Sequence, residues 1–130
     1  MMQLLGIGTL GLVGVFFRYG IDRIMTQFSF PFPVATFLIN LLGSFLAGLV
    51  YGLGAERAVI SPELRTGLLV GFCGGFTTFS AAMLQSFLLF DQRKIWMSAL
   101  YLLMSPVIGV FFAMAGVYLA RSGASTIQFH

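Results

Sequence analysis

The fold of this chain is decided by the stretch Gly71-Phe72-Cys73-Gly74-Gly75-Phe76-Thr77-Thr78-Phe79-Ser80, which lies in the middle of a long apolar segment. Three glycines, two threonines and a serine within these ten residues are unfavourable for an uninterrupted helix. Non-helical backbone at membrane depth is tolerated only where it is buried in protein or lines a water-filled cavity. The stretch therefore predicts a broken helix that presents hydroxyl groups and backbone carbonyls to a polar species, and carbonyl oxygens suit a hard cation such as Na⁺.

The composition is typical of an integral membrane protein. Of the 130 residues, 58% are hydrophobic and 8% are charged, which is too little charge to cover a soluble domain of this size. Four segments approach or exceed the roughly 20 apolar residues that cross a bilayer, at about residues 3–25, 33–54, 64–90 and 95–121. We therefore predict one all-α domain over residues 1–130, with four transmembrane helices and a broken third helix, as a multi-pass protein of the cell membrane.

The basic residues are distributed almost evenly between the two sides of the membrane. With four spans, the side that carries both chain ends has three basic residues, Arg57, Arg65 and Arg121. The opposite side also has three, Arg23, Arg93 and Lys94, and Arg18 lies near that side. Because a bias of Lys and Arg between short loops sets orientation, this chain has either a weakly set orientation or two orientations. Insertion in both orientations would allow an antiparallel dimer of identical chains.

The apolar segments contain several hydrogen-bond donors but little charge. These donors are Arg18, Thr36, Asn40, Thr78, Ser80 and Ser105. Donors on short side chains, without acidic groups at mid-span, favour a small anion. An asparagine at this depth is costly without a partner. Asn40 therefore either hydrogen-bonds a neighbouring helix or donates its amide hydrogens to a permeating anion.

Arg18 has two interpretations. Its long side chain can reach the membrane interface as an anchor, or it can act as a buried cation that attracts anions or fixes a neighbouring element. Asp22 lies four residues later on the same helix face, so the two side chains can form an ion pair. That spacing favours a partly structural role for Arg18.

The residues needed for most active sites are absent from the spans. The four acidic residues lie near the span ends; they are Asp22, Glu56, Glu63 and Asp91. The only histidine is His130, and the only cysteine is Cys73. Without a carboxylate pair or a metal-ligand cluster in the apolar segments, we do not expect an enzyme, and no soluble domain remains to bind nucleic acid. A proton-coupled small multidrug exporter also has four helices, but it needs an ionisable carboxylate inside the membrane, and this chain has none at mid-span.

Three motifs of the chain resemble the CrcB/Fluc family of fluoride channels, and the resemblance covers nearly the whole sequence. The first motif is the arginine–aromatic pair Arg18-Tyr19, late in the first span. The second is a Thr-x-x-x-Asn-x-x-Gly pattern at residues 36–43, and the third is the stretch at residues 71–80. The resemblance implies a passive, fluoride-selective channel through which cytoplasmic fluoride leaves the cell.

The resemblance also implies an antiparallel, dual-topology homodimer in the lipid bilayer, with two fluoride pores. The broken third helices would cross at its centre and hold a structural Na⁺ through the backbone carbonyls of Gly74 and Thr77. Asn40 matches the pore asparagine of the family, and Phe79 matches its first pore phenylalanine. The electropositive edge of an aromatic ring can face an anion. The even distribution of basic residues agrees with dual topology.

The chain departs from the family pattern directly after Ser80. The family commonly has a second pore phenylalanine there, and this chain has Ala82 in its place. Two hydroxyl residues of the family correspond to Ala81 and Met83, and a family glutamate corresponds to Gln85. In the fourth span Ser105 keeps a hydroxyl position, whereas Gly109 replaces another.

These departures leave several assemblies open. The chain can form a homodimer with a wider, less polar pore, or it can be one subunit of a heterodimer in which a paralogous chain supplies the missing groups. The even charge distribution favours the homodimer. A non-conducting membrane scaffold or assembly subunit is the remaining alternative.

Overall fold

The chain folds into four long helices in the computed structural model, which describes residues 1–123. The first helix comprises Met2–Met25, the second Val34–Glu56, the third Pro62–Asp91 and the fourth Ile95–Ser122. Each of the four is long and apolar enough to cross a membrane. The prediction of an all-α membrane protein with four spans is confirmed. The terminal His130 lies outside the described residues.

The third helix is interrupted at Thr77 and Thr78, whose backbones are extended, with φ and ψ of −81° and 160° and of −151° and 109°. This break separates residues 62–76 from the helix Phe79–Asp91. The prediction of a broken third helix is confirmed, but the break is shorter than the glycine content indicates. The three glycines are helical, and Gly67–Cys73 form wide π-helical turns.

The two threonines stabilise the helix ends on both sides of the break. Thr77 Oγ1 donates to the Cys73 carbonyl at 2.8 Å, as a second donor to a carbonyl that also accepts from the Thr77 N–H at 2.9 Å at the end of the first half. Thr78 Oγ1 accepts from the Ala81 N–H at 3.3 Å and so caps the second half. Threonine competes in this way with regular helical hydrogen bonds, and two adjacent threonines therefore end one helix and start the next.

The glycines around the break allow the third helix to lie directly against the first. A Cβ atom at Gly71 would be 2.7 Å from the Ile7 carbonyl oxygen, and one at Gly75 would be 2.5 Å from the Gly11 carbonyl oxygen. Gly14 of the first helix is in the same situation, because a Cβ atom there would clash with the backbone of the third helix. These glycines thus serve close backbone contact between membrane helices.

The second and fourth helices also pack through small residues. A Cβ atom at Gly48 would clash with the Ala113 carbonyl, and one at Gly116 would clash with the Phe45 carbonyl. The four helices therefore form two close pairs, the first with the third and the second with the fourth. The candidate site lies where the break in the third helix meets the second and fourth.

Polar side chains join the helices at both ends of the bundle. At one end Arg121 forms two hydrogen bonds with the Glu56 carboxylate, at 2.6 and 2.8 Å, and Arg57 donates to the Ala120 carbonyl at 2.8 Å. At the other end the buried side chains of Ser86 and Ser98 bond each other, with 2.9 Å between the two hydroxyl oxygens. Ser98 Oγ also donates to the Ser86 carbonyl at 2.8 Å.

Candidate functional site

The candidate site is centred on Asn40, which binds both backbone groups of Thr78. Asn40 Oδ1 accepts from the Thr78 N–H at 2.9 Å, and Asn40 Nδ2 donates to the Thr78 carbonyl at 3.2 Å. Since extended backbone inside a membrane must find partners outside its own helix, one side-chain amide satisfies both groups at the break. Of the two interpretations of Asn40, bonding to a neighbouring helix is therefore observed. The amide has a second N–H, and its donation to an anion remains a prediction.

A groove of about 490 Å³ borders Asn40 and Thr78 and is mainly apolar. Phe79 and Ser105 also line it. Within the described residues, Ser105 Oγ is buried and has no hydrogen-bond partner. Because buried hydroxyl groups in proteins are nearly always paired, this one is available to a polar ligand in the groove.

A smaller, more polar cavity of about 210 Å³ also borders Thr78. Its lining includes Arg18, Asp22 and Thr36. Arg18 Nε donates to the Gly75 carbonyl at 3.1 Å, so the guanidinium fixes the first half of the broken helix. Within residues 1–123, Arg18 and Asp22 are not within ion-pair distance of each other, although their spacing allows such a pair. Arg18 thus acts as a partly buried cation that holds a neighbouring element.

A chain of hydrogen bonds connects the groove with the polar cavity. Tyr101, which lines the groove, donates its hydroxyl to Gln85 Oε1 at 3.2 Å. Gln85 Nε2 donates to Thr36 Oγ1 at 2.8 Å, and both of these residues line the polar cavity. Tyr101 and Thr36 are only 2% and 3% exposed. The T-shaped contact of the Phe32 ring, with 5.2 Å between ring centroids, holds Tyr101 in place.

Tyr101 is a residue of the site that the sequence does not single out. The feature of the sequence that could have indicated it is a tyrosine at the seventh residue of the apolar fourth helix. A tyrosine hydroxyl that is buried there needs a hydrogen-bond partner. In the sequence, Gln85 stands out only as a departure from the family pattern. In the structure its amide hydrogen-bonds Thr36 of the second helix and Tyr101 of the fourth helix. Gln85 therefore links the third helix to both of them.

The predicted residues of the anion pathway fall into three groups. The groove is bordered by Asn40, Thr78, Phe79 and Ser105, and the polar cavity by Arg18, Thr36 and Thr78. Phe79 is 77% exposed in the single chain. Ser80, in contrast, is exposed on the surface and lies outside both cavities.

The backbone carbonyls of Gly74 and Thr77 lack the donors that a continuous helix would give them. The Thr78 N–H would bond the Gly74 carbonyl in such a helix, but it donates to Asn40. The Ala81 N–H would bond the Thr77 carbonyl, but it donates to Thr78 Oγ1. Gly74 is also exposed on the surface of the single chain. Both carbonyl oxygens therefore keep acceptor capacity, and such oxygens fit the ligand chemistry of a hard cation.

Comparison with known proteins identifies the family of the chain. The sequence matches the family described as CrcB-like protein, Camphor Resistance (CrcB), over residues 5–117. The chain belongs to the CrcB family. The resemblance that its three motifs indicated is confirmed.

Several relatives of this CrcB chain carry the name fluoride-specific ion channel FluC. The protein of Prosthecochloris aestuarii is 40% identical over 115 residues, which cover 88% of this chain and 90% of the relative. The protein of Chlorobium chlorochromatii is 42% identical over 119 residues, covering 91% and 90% of the two chains. The protein of Agrobacterium fabrum is 37% identical over 123 residues, covering 94% and 98%. These names describe ion channels, in agreement with the expectation that this CrcB protein is not an enzyme.

Proposed function

We propose that this CrcB chain forms a passive, fluoride-selective channel that releases cytoplasmic fluoride across the cell membrane. The observation that carries the proposal is the match to relatives named as fluoride-specific channels over about nine-tenths of both chains. The arrangement of donors at the helix break supports it. A narrow path can pass a strongly hydrated ion only if protein groups replace its water.

Three groups beside the groove suit this replacement. Asn40 has one N–H left after its bond to Thr78. Ser105 has a buried hydroxyl with no partner within the described residues, and Phe79 presents an aromatic ring beside them. We propose that a fluoride ion passes along these groups, with Arg18 and Thr36 attracting it in the polar cavity.

We further propose that the channel is an antiparallel homodimer with two pores. Phe79, Ser80 and Gly74 are exposed in the single chain although they lie at the centre of the third helix, and a second chain would cover them. The even distribution of basic residues supports insertion in both orientations. A heterodimer with a paralogous chain is the alternative, in which the partner would supply the groups that Ala81 and Ala82 lack.

The Gly74 and Thr77 carbonyls of both chains would hold a structural Na⁺ at the centre of this dimer. Their oxygens lack their usual helical donors, and four such oxygens match the preference of a hard cation for oxygen ligands. The ion would supply a positive charge that joins the two broken helices. Replacing Na⁺ by K⁺ in the buffer should therefore lower the stability of the dimer, as measured by thermal unfolding in detergent.

Fluoride efflux from liposomes that contain only this chain tests the function. Chloride in the same liposomes is the selectivity control, and protein-free liposomes give the baseline. We expect rapid efflux of fluoride and none of chloride. Well-folded protein that releases no fluoride would contradict the homodimeric channel.

Two further assays separate the alternatives. Recovery of efflux on co-reconstitution with a paralogous chain would indicate the heterodimer. Failure to bind Na⁺, together with failure to protect fluoride-sensitive cells, would favour a non-conducting scaffold. Uptake of organic cations driven by a pH gradient would favour a proton-coupled exporter.

A further inference from the structure

We propose that one end of the bundle binds the headgroup of an anionic phospholipid. This basic end is formed where the second and fourth helices end and the third begins, and its positive charges belong to Arg57, Arg65 and Arg121. The three arginines lie outside the lining of the groove and of the polar cavity. The inference therefore concerns a separate surface, and its test does not require that the chain conducts fluoride.

Two of these arginines are held in place where the second helix ends. The methylene groups of Arg65 pack against this helix so closely that a Cβ atom at Gly54 would be 2.7 Å from Arg65 Cδ. Arg57 directly follows the second helix and donates from Nη1 to the Ala120 carbonyl of the fourth helix at 2.8 Å. Both arginines are half-buried. Since their side chains are already ordered, binding a ligand costs them less conformational entropy than it costs an exposed side chain.

The same two arginines keep a positive charge without a carboxylate partner. Arg121 is neutralised by Glu56, and within residues 1–123 this is the one ion pair. Arg57 uses Nη1 for backbone carbonyls, which leaves the N–H groups of Nη2 and Nε available. Within the described residues the Arg65 guanidinium has no hydrogen-bond partner. Glu63 is nearby in the sequence, but its carboxylate is exposed and pairs with neither arginine.

Exposed side chains beside the basic end place it at the level of the lipid headgroups. Tyr118 is 73% exposed and lies one turn before Arg121, and Tyr51 of the second helix is 49% exposed. Tyrosines are enriched where membrane helices cross the interface with water. Leu119 is also exposed and would contact acyl chains. A lipid fits both parts of this surface, because its phosphate accepts from guanidinium N–H groups and its chains cover the apolar side chains.

A lipid with a net negative charge fits the basic end better than a zwitterionic lipid does. The headgroup of phosphatidylcholine carries its own cation beside the phosphate, whereas phosphatidylglycerol has a net negative charge. Each arginine near the membrane surface should strengthen the binding of an anionic lipid about fivefold. Since Arg57 and Arg65 are both uncompensated, we expect phosphatidylglycerol to bind at least about tenfold more tightly than phosphatidylcholine.

Native mass spectrometry of the full chain in detergent measures this preference, with phosphatidylglycerol and phosphatidylcholine added at equal concentration. Arg65→Gln removes the charge but keeps the methylene groups that pack on Gly54, and it should lower the ratio of bound phosphatidylglycerol to bound phosphatidylcholine about fivefold. Lys94→Gln is the matched control, since it removes one positive charge at an exposed position of the opposite end. It should leave the ratio unchanged.

Glu56→Gln tests the same inference in the opposite direction. It removes the carboxylate that neutralises Arg121, so a third guanidinium becomes available to the lipid phosphate. The ratio should rise about fivefold. Asp91→Asn removes a carboxylate at the opposite end and should leave the ratio unchanged. This gain keeps the proposal testable if Arg65→Gln does not fold.

The outcomes separate this surface from a general effect of charge and from a site for a small anion. The inference is overturned if the wild type binds the two lipids equally, or if Lys94→Gln lowers the ratio as much as Arg65→Gln does. Inorganic phosphate at millimolar concentration should not displace phosphatidylglycerol, because it has no acyl chains. Displacement by phosphate would indicate an anion site and would overturn the lipid site. None of these readouts depends on fluoride efflux.

Discussion

Ser105→Ala should raise the stability of the protein and lower its fluoride flux. Within the described residues, Ser105 Oγ is buried without a hydrogen-bond partner, and an unpaired buried polar group costs about 1–3 kcal/mol. Since the alanine leaves only the space of one oxygen beside an existing groove, we expect the free energy of unfolding to rise by about 1 kcal/mol. The same change removes a donor to a permeating ion. A hydrogen bond to a charged group contributes about 1.5–3 kcal/mol, so the flux should fall at least about tenfold.

Ser86→Ala is the matched control for this prediction. The Ser86 hydroxyl is buried and bonded to Ser98, and it borders neither cavity. Its removal should lower the free energy of unfolding by about 1–2 kcal/mol and leave the flux unchanged. Thermal unfolding in detergent measures the stability of both variants, and fluoride efflux from liposomes measures their flux.

The opposite signs of the two effects make the reasoning refutable. If Ser105→Ala is destabilised like Ser86→Ala, the hydroxyl has a structural partner. If Ser105→Ala keeps full flux, the hydroxyl does not contact the ion. Either result would remove Ser105 from the proposed pathway.

Three further substitutions test the break, a strained residue and the helix contact. Asn40→Ala removes both bonds to Thr78 and should lower the free energy of unfolding by about 2–4 kcal/mol and nearly abolish efflux; unchanged efflux would exclude Asn40 from the pathway. Ala58 has a φ of 53°, so Ala58→Gly should stabilise the protein by about 0.5–1 kcal/mol without changing efflux; a lower melting temperature would contradict this. Gly71→Ala places a Cβ atom 2.7 Å from the first helix and should lower the free energy of unfolding by about 1–3 kcal/mol. The control Gly20→Ala meets nothing within 4 Å and should not destabilise the protein. Thermal unfolding in detergent measures both variants.

The sequence predicts the number of helices and the presence of a break, but not where the break ends. Span number follows from long apolar runs, whose meaning does not depend on tertiary contacts. Gly71 and Gly75, in contrast, have both a low helix propensity and a small volume. Whether such a residue breaks a helix or packs it closely depends on the helix that lies beside it. Here the first helix lies close enough to use their small size, and only Thr77 and Thr78 leave the helical conformation.

Individual donors of the site could be predicted, but their partners could not. A polar residue within an apolar span is conspicuous, so Asn40 and Arg18 stand out in the sequence. Their partners depend on how each helix is rotated and on which backbone groups the break exposes. Arg18 illustrates this, because its spacing to Asp22 allows an ion pair within one helix. The guanidinium instead donates to the Gly75 carbonyl of the third helix.

The interruption at Thr77 and Thr78 also divides the dipole of the third helix. In a helix the peptide dipoles sum to roughly half a positive charge at the amino end and roughly half a negative charge at the carboxyl end. A continuous helix has both ends near the membrane surface, whereas the break brings the carboxyl end of residues 62–76 and the amino end of Phe79–Asp91 into its interior. One two-residue interruption thus creates a negative potential that suits a cation and, next to it, a positive potential that suits an anion. Since the threonines at the break do not titrate, neither potential should change with pH.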